Sequence, residues 1–375
     1  MHIVFLSHEY PLWSPGGAGT FIQTFGREAV REGHQITIIG AGKSSEEIQL
    51  YDEGVVLYRM PKSKNIIPDF IHNAKVINRK IREIHSKNPI DILESAELGM
   101  AFISRRQPIK KVIRLHGGHH FFAEAEKRGI NWRKGLVEKM SFKKADAFIA
   151  VSKYVKEHTS KYLSYHDKPL EIINYPIDTQ KTPLEHPTKN NQILFAGTIC
   201  EKKGVRELLK AFQLVRQKYP KKELHLFGRD WFYPNGDSYI ETLKKELDNS
   251  IFEHVYFHGS VPRDVLDTHY SEASICVFPS HMETQGLVCL EAMLLEKPVV
   301  FSKYGPGPET INHAVTGLLC DVYEPNDIAR KIIWYIENPE EAKLIGVKAR
   351  KAVLEKYDKA SILQKNIAFY QSLLP

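Results

Sequence analysis

The chain has 375 residues, 42% hydrophobic and 26% charged, which is enough apolar material to bury two domain cores. It holds no run of the ~18 apolar residues that a membrane span needs, and its first residues enter a strand pattern without a basic leader, which argues against a signal peptide. The net charge of +7 favours anionic partners, while Cys200, Cys276, Cys289 and Cys320 lack paired spacing and read as reduced thiols of a cytoplasmic protein rather than metal ligands.

Strands are expected near 2–7, 35–39, 55–58, 90–93, 111–115, 147–150 and 170–173, and a second series near 192–196, 223–227, 254–257, 275–279, 298–301 and 317–320. Helical patterns alternate with them from end to end, so the expectation is parallel sheets with helices on both faces.

The first strand runs through His8–Pro15 to Gly16, Gly17 and Gly19, and a helix is expected over Thr20–Arg31, ending at Gly33-His34. A dinucleotide fingerprint would need its glycines directly after the strand and an acid at the end of the second strand, where this chain has Gly40-Ala41-Gly42. A glycine loop against a phosphate or sugar fits better, with an ordinary turn as the bland alternative. The strand at 111–115 delivers Arg114, His116, His119 and His120 to the end where open α/β sheets bind ligands. A zinc site at His119 and His120 lacks partner Cys or Glu spacing, and His120 reads as structural.

Residues 105–144 hold twelve Lys/Arg against Glu124, Glu126 and Glu138, with Phe121, Phe122 and Trp132 among them. Two readings stand: a peripheral contact with anionic lipid, or a merely solvated basic face. A nucleic-acid partner is not expected, because no recognised binding module is present. Asn174–Asn191, with Pro176, Pro183 and Pro187, has the composition of a linker. The expected division is residues 1–175, a linker at 176–191, a second domain at 192–355 and a final helix at 356–375.

After the linker, strand ends carry Gly197-Thr198, Gly228-Arg229 and Gly259-Ser260-Val261. The strand at 275–279 leads to Glu283 in a loop, then to a helix from Gly286 to Leu295 with Glu291 about two turns inside it. Backbone N–H groups of Gln285, Gly286 and Leu287 would point from that helix start toward an anion. Two glutamates so spaced suit hydroxyl groups on either side of a phosphate.

Glu283, Gly286, Leu287, Glu291, Ala292 and Met293, followed by Lys297-Pro298-Val299-Val300 and Pro308-Glu309, resemble the Glu-x7-Glu signature of the retaining glycosyltransferases of family 4. The resemblance covers residues 1 to about 340 and includes Gly33-His34, Ala150-Val151-Ser152 and Asn174–Asp178. It implies the GT-B fold: two doubly wound, Rossmann-like α/β domains facing a central cleft, with the last helix crossing back to the first domain. It also implies that Glu283 meets sugar hydroxyls, Glu291 the ribose, and His116 the donor sugar from the opposite domain. Gly16 and Gly17 match the family's phosphate- or sugar-facing loop, and Gly259-Val261 the stretch near the base. The diphosphate loop of the family reads G-R-x-x-x-x-K-G; here Gly197, Lys203 and Gly204 match, but Thr198 replaces the arginine. Lys203 then supplies a point charge without a bidentate fork, and Lys202, Arg206 or Arg229 is the candidate to compensate.

The function so implied is transfer of a hexosyl group, with retention, from a nucleotide-diphosphate sugar (UDP favoured) to a glycan or lipid-linked hydroxyl. With no Asp-x-Asp in the chain, no metal or other cofactor is expected. A cytoplasmic enzyme, or one at the inner face of the membrane, is the matching location. A nucleotide-sugar epimerase or phosphorylase-like enzyme of the same fold, and a non-catalytic nucleotide-sugar sensor, are the alternatives.

Overall fold

The computed structural model describes the chain except residues 15, 43–44, 64–67, 126–128 and 180–187; half of the expected linker, and Glu126, Lys127 and Arg128 of the basic segment, lie outside the described residues. The chain divides into two compact units, residues 1–176 with 359–375, and residues 177–358.

The first unit contains β1 (His2–Leu6), α1 (Gly17–Arg31), β2 (Gln35–Ala41), β3 (Ile48–Asp52), β4 (Val55–Met60), α2 (Asp69–Lys87) and β5 (Ile92–Ser95). β6 (Lys110–Leu115), α3 (His119–Ala125), α4 (Trp132–Lys144), β7 (Ala147–Ala150), α5 (Lys153–Ser160) and β8 (Leu170–Ile172) follow. The sheet order is β3-β4-β2-β1-β5-β6-β7-β8, parallel throughout except for β3 against β4. Its central strands are apolar on both faces, as in β1 (Ile3, Val4, Phe5) and β7 (Phe148, Ile149), because helices cover both sides. β3 is absent from the sequence reading: Ile48-Gln49-Leu50-Tyr51-Asp52 is only five residues long and largely exposed at the sheet edge, so its brief pattern does not stand out as a buried run.

The second unit contains β9 (Lys189–Ala196), α6 (Val205–Lys218), β10 (Glu223–Phe227), α7 (Tyr239–Glu246), β11 (Val255–Gly259), α8 (Arg263–Glu272) and β12 (Ala273–Phe278). It continues with α9 (Leu287–Leu294), β13 (Val299–Ser302), α10 (Gly307–Thr310), β14 (Leu318–Cys320), α11 (Pro325–Glu337) and α12 (Pro339–Lys356). The parallel order is β11-β10-β9-β12-β13-β14. The last helix, α13 (Lys359–Ser372), belongs to the first unit, packed on α1.

Several boundaries differ from expectation. β9 begins at Lys189, inside the expected linker, because its polar first residues pair with neighbours: Lys189 with Ala273 and Gln192 with Glu223. The final helix starts at Lys359, since Lys356 still belongs to α12. α1 begins at Gly17, so Gly17 and Gly19 lie in its first turn and not in a loop. Among the described residues, no helix is long and apolar enough to cross a membrane.

Candidate active site

In a doubly wound sheet, ligands bind outside the carboxyl ends of the strands where the order reverses. In the second unit that point lies between β9 and β12, since β10 and β11 extend from one side and β13 and β14 from the other. The loops leaving β9 and β12 are locked together there. The His281 amide donates to the Lys202 carbonyl at 2.9 Å, and the Lys203 ammonium pairs with the Glu283 carboxylate. Ser280 Oγ donates to the same Glu283 oxygen at 3.2 Å. Gly204, at φ 67°, lets α6 start directly against this loop; a Cβ there would overlap the Pro279 carbonyl oxygen. Lys202 and Lys203 fall in the single 3-10 turn Glu201–Lys203 that precedes α6.

Glu291 is the fifth residue of α9, little more than one turn from its start rather than two, because the helix begins only at Leu287. Its Oε1 accepts from Arg263 Nη1 at 2.6 Å, while Oε2 is buried without a hydrogen-bond partner among the described residues. Arg263 also reaches Asp267 Oδ1 at 3.3 Å. Burial works against the Arg263 charge, but Glu291 outweighs it and holds the guanidinium pKa above its ordinary value. The start of α9 is shaped by Gly286, at φ 81°, whose missing Cβ would stand 2.6 Å from the Phe301 ring. Leu287 is the first helical residue after it, and Gln285, just before it, is buried.

The neighbouring strand ends are tied in register. The Gly197 amide donates to Phe227 O at 2.8 Å, and the Gly228 amide to Gly259 O at 2.8 Å. Thr198 is half-buried beside them, Arg229 is exposed, and Val261 is half-buried in the turn before α8. Lys297, from the sequence signature, is not at this rim: its ammonium donates to the Ser271 carbonyl near the end of α8. The second unit thus brings Lys203 to Glu283, and Arg263 to Glu291, as two ion pairs along one strand-to-helix connection.

In the first unit the order reverses at β1 and β5. Glu9 follows β1, and its carboxylate lies where a Gly16 side chain would be, with the Gly19 amide 3.4 Å from Oε2. The Gly19 Cβ position is only 2.9 Å from backbone atoms of Glu9 and Tyr10, so this helix start requires small residues. Apart from its chain neighbours and its own helix backbone, no atom of the described residues lies within 4 Å of the Gly17 Cβ position.

His116 directly follows β6 and stacks on Tyr175, with ring centroids 5.6 Å apart, and its Nδ1 shares a hydrogen bond with the Tyr175 hydroxyl. Burial, reinforced by the Arg114 charge, pushes the imidazole down to about 3, so it is neutral at physiological pH. Behind it, Arg114 is fully buried, donating from Nε to Glu94 Oε1 at 2.7 Å and lying over the Phe21 ring at 4.3 Å. The Gly117 amide donates to Glu97 Oε1 at 2.7 Å. Burial pushes the Glu97 carboxyl up to about 8, helped by the nearby Glu138 charge. Glu138 accepts from the His119 and His120 amides at 2.8 and 3.1 Å and from the His120 ring. His119 Nε2 accepts from the Asn131 amide at 2.9 Å. Both histidines are therefore structural.

Sequence reasoning did not single out Arg263, Ser280, Glu9, Glu97 or Tyr175. Only Tyr175 carried a signal, since it lies in the Asn174–Asp178 stretch already recognised as family-like.

Comparison with known proteins agrees with this architecture. Residues 176–352 match the family described as Glycosyl transferases group 1, and residues 15–181 match Glycosyltransferase Family 4. A GDP-mannose-dependent alpha-(1-6)-phosphatidylinositol monomannoside mannosyltransferase of Mycolicibacterium smegmatis is 22% identical, over 91% of both chains. Sucrose-phosphate synthase of Thermosynechococcus elongatus superposes with a TM-score of 0.84 at 20% identity, over 99% of this chain and 98% of that one. Anabaena HepE in complex with UDP-glucose superposes with a TM-score of 0.78 at 18% identity, over 99% and 100%.

Proposed function

Because the chain belongs to the group 1 glycosyltransferases and has their GT-B fold, we propose that it moves a sugar from a nucleotide diphosphate to an acceptor hydroxyl, keeping the donor's anomeric configuration. The observation that carries this reading is the second oxygen of Glu291, which is buried and has no hydrogen-bond partner among the described residues, beside the switch point of a Rossmann-like sheet. A buried carboxylate oxygen without a donor is costly, and a pair of ribose hydroxyls would satisfy it. Glu283 then positions hydroxyls of the transferred sugar, while His116, in the first unit, offers a neutral hydrogen-bonding ring.

As the glycosidic bond breaks, negative charge grows on the departing diphosphate. Lys203 and the backbone N–H groups at the start of α9 are the groups that meet it. The Lys203–Glu283 pair sets the ammonium in place beforehand, so little reorganisation is needed at the moment of reaction. With no Asp-x-Asp in the sequence, transfer is expected to persist in the presence of a chelator. A UDP-sugar donor is supported by the complex of the Anabaena relative, and a glycan or lipid-linked acceptor by the Mycolicibacterium relative's substrate.

The test is a thermal-shift panel of UDP-, GDP- and ADP-sugars on the parent and Glu291→Ala, followed by NMR of the product anomer. One donor should stabilise the parent and not the variant, and the product should retain the donor configuration. An inverted product would remove the retaining mechanism. Release of an epimerised nucleotide sugar would replace transfer with epimerisation.

A further inference from the structure

The geometry of α4 points to a second surface with its own ligand: we propose that its outward face is a peripheral membrane contact selective for anionic lipid. Gly135, Glu138, Ser141 and Phe142 form the inward side of this helix and are buried. The opposite side carries Trp132, Leu136 and Met140, which are 70%, 51% and 37% exposed, with Ile130 just before the helix at 47%. At 3.6 residues per turn, positions four and eight apart form one continuous stripe about 12 Å long.

The stripe is set among cations. Arg133, Lys134, Lys139 and Lys143 are all exposed on α4, and the Arg133 guanidinium lies 5.3 Å from the Trp132 ring. Arg105 donates to the Lys143 carbonyl at 3.1 Å, bringing the exposed Arg105-Arg106 turn alongside the helix end. The one acid in α4, Glu138, is wholly buried and occupied by the α3 amides and His120. Among the described residues of α4, the outward face therefore presents apolar and cationic side chains together, and no carboxylate.

That mixture selects the occupant. A soluble acidic partner would match the lysines and arginines but gives no reason to expose tryptophan, leucine and methionine in line. A nucleic-acid backbone has no place for the two aliphatic side chains. At a bilayer surface both halves are satisfied: the apolar row enters the headgroup–acyl boundary while the cations meet lipid phosphates. Tryptophan at one end of the row is the residue that favours this depth.

The test uses the full chain and sedimentation with vesicles of phosphatidylcholine, with or without roughly one third phosphatidylglycerol. Binding is expected only to the anionic vesicles, and should fall steeply as salt rises from about 50 to about 500 mM. The combined substitution Trp132→Ser, Leu136→Ser, Met140→Ser should weaken binding at least about tenfold. The pair Lys139→Glu, Lys143→Glu should do the same. Both variants change exposed side chains only, so each should keep the parent's melting temperature and its stabilisation by nucleotide sugar, which separates this surface from the donor site. No binding by the parent, equal binding to neutral vesicles, or undiminished binding by the serine variant would overturn the proposal. So would a solution dimer that the serine variant breaks, which would assign the face to a second copy of the chain.

Discussion

Lys203 is held by a carboxylate from 80 positions further along the chain, so its charge is shared before any ligand arrives. Removing it should therefore do two things at once: take a cation from the leaving diphosphate and release Glu283 from its position. Lys203→Ala is expected to lower turnover on the order of 100-fold, with a smaller effect on donor affinity, because the lost charge matters most as the bond breaks. Arg229→Ala should change turnover little, since its side chain is exposed in the turn after β10. Steady-state kinetics decide between them, and the reverse pattern would move the diphosphate contact to Arg229. Glu97 offers a prediction of another kind. Its folded pKa is about 8 against an ordinary 4.5, raised chiefly by burial. Between those values the folded chain keeps a proton that the unfolded chain gives up, so stability from this group is present at low pH and is lost as pH rises. The slope approaches ~1.4 kcal/mol per pH unit within that window. Glu97→Gln can still accept from Gly117 but has no proton to lose. Its melting temperature should fall less than the parent's between pH 6 and 8, and identical slopes would mean that Glu97 is ionised in the fold.

Single glycines set the elements at both switch points, and two substitutions should separate backbone need from ligand access. Gly204→Ala places a methyl group against the Pro279 carbonyl at a φ of 67°. It should cost about 1–3 kcal/mol and loosen the Lys202–His281 link, lowering both melting temperature and donor binding. Gly17→Ala puts its methyl group into open space in the first turn of α1, where alanine is the better helix former by up to ~1 kcal/mol. Its melting temperature should hold or rise. If activity falls all the same, the open space is where a substrate lies; unchanged activity would remove Gly17 from the site. The elements themselves were readable because buried parallel strands are apolar runs and the helices between them are amphipathic. β3 escaped because its five residues carry too short a pattern on a largely exposed edge, and the first residues of β9 because their pairing rests on backbone bonds under polar, exposed side chains. The site was legible as a row of loops at strand ends, each found from its own residues. Which side chains meet across those loops, as Arg263 meets Glu291, depends on the strand order, which local pattern does not contain. Glu94, and the burial of Arg114, which the sequence placed only at a ligand-facing strand end, were missed for a related reason: in sequence, a charged residue reads as surface.

The chain builds its first unit from two separated pieces, and Arg114 shows how much the second contributes. Its Nη2 donates to Asn366 Oδ1 at 2.5 Å and to the Tyr370 hydroxyl at 3.1 Å, both on α13. The Tyr370 hydroxyl in turn donates to Glu94. Tyr370 also packs edge-on against Phe25 of α1, 6.3 Å between centroids, and Lys359 pairs with Glu28 at 3.0 Å. Without α13, a buried guanidinium–carboxylate pair would lose two of its partners, and the apolar side of α1 would be uncovered. Breaking such a buried network is among the more destabilising changes a fold can suffer. Residues 1–176 alone are therefore expected not to melt cooperatively. Residues 177–358 are continuous and hold their own parallel sheet, so they should melt as one cooperative unit. The points where the chain enters and leaves that unit are adjacent: Ile177 and Asp358 form a bridge, and the Ile177 amide donates to Tyr357 O at 2.9 Å. A short Gly-Ser linker can thus join residue 176 directly to residue 359. Calorimetry of that fused chain should recover the cooperative transition that residues 1–176 lack, and Tyr370→Phe within it should lower the midpoint. A cooperative transition in residues 1–176 alone, at the same temperature as the fused chain, would show that α13 only decorates the first unit.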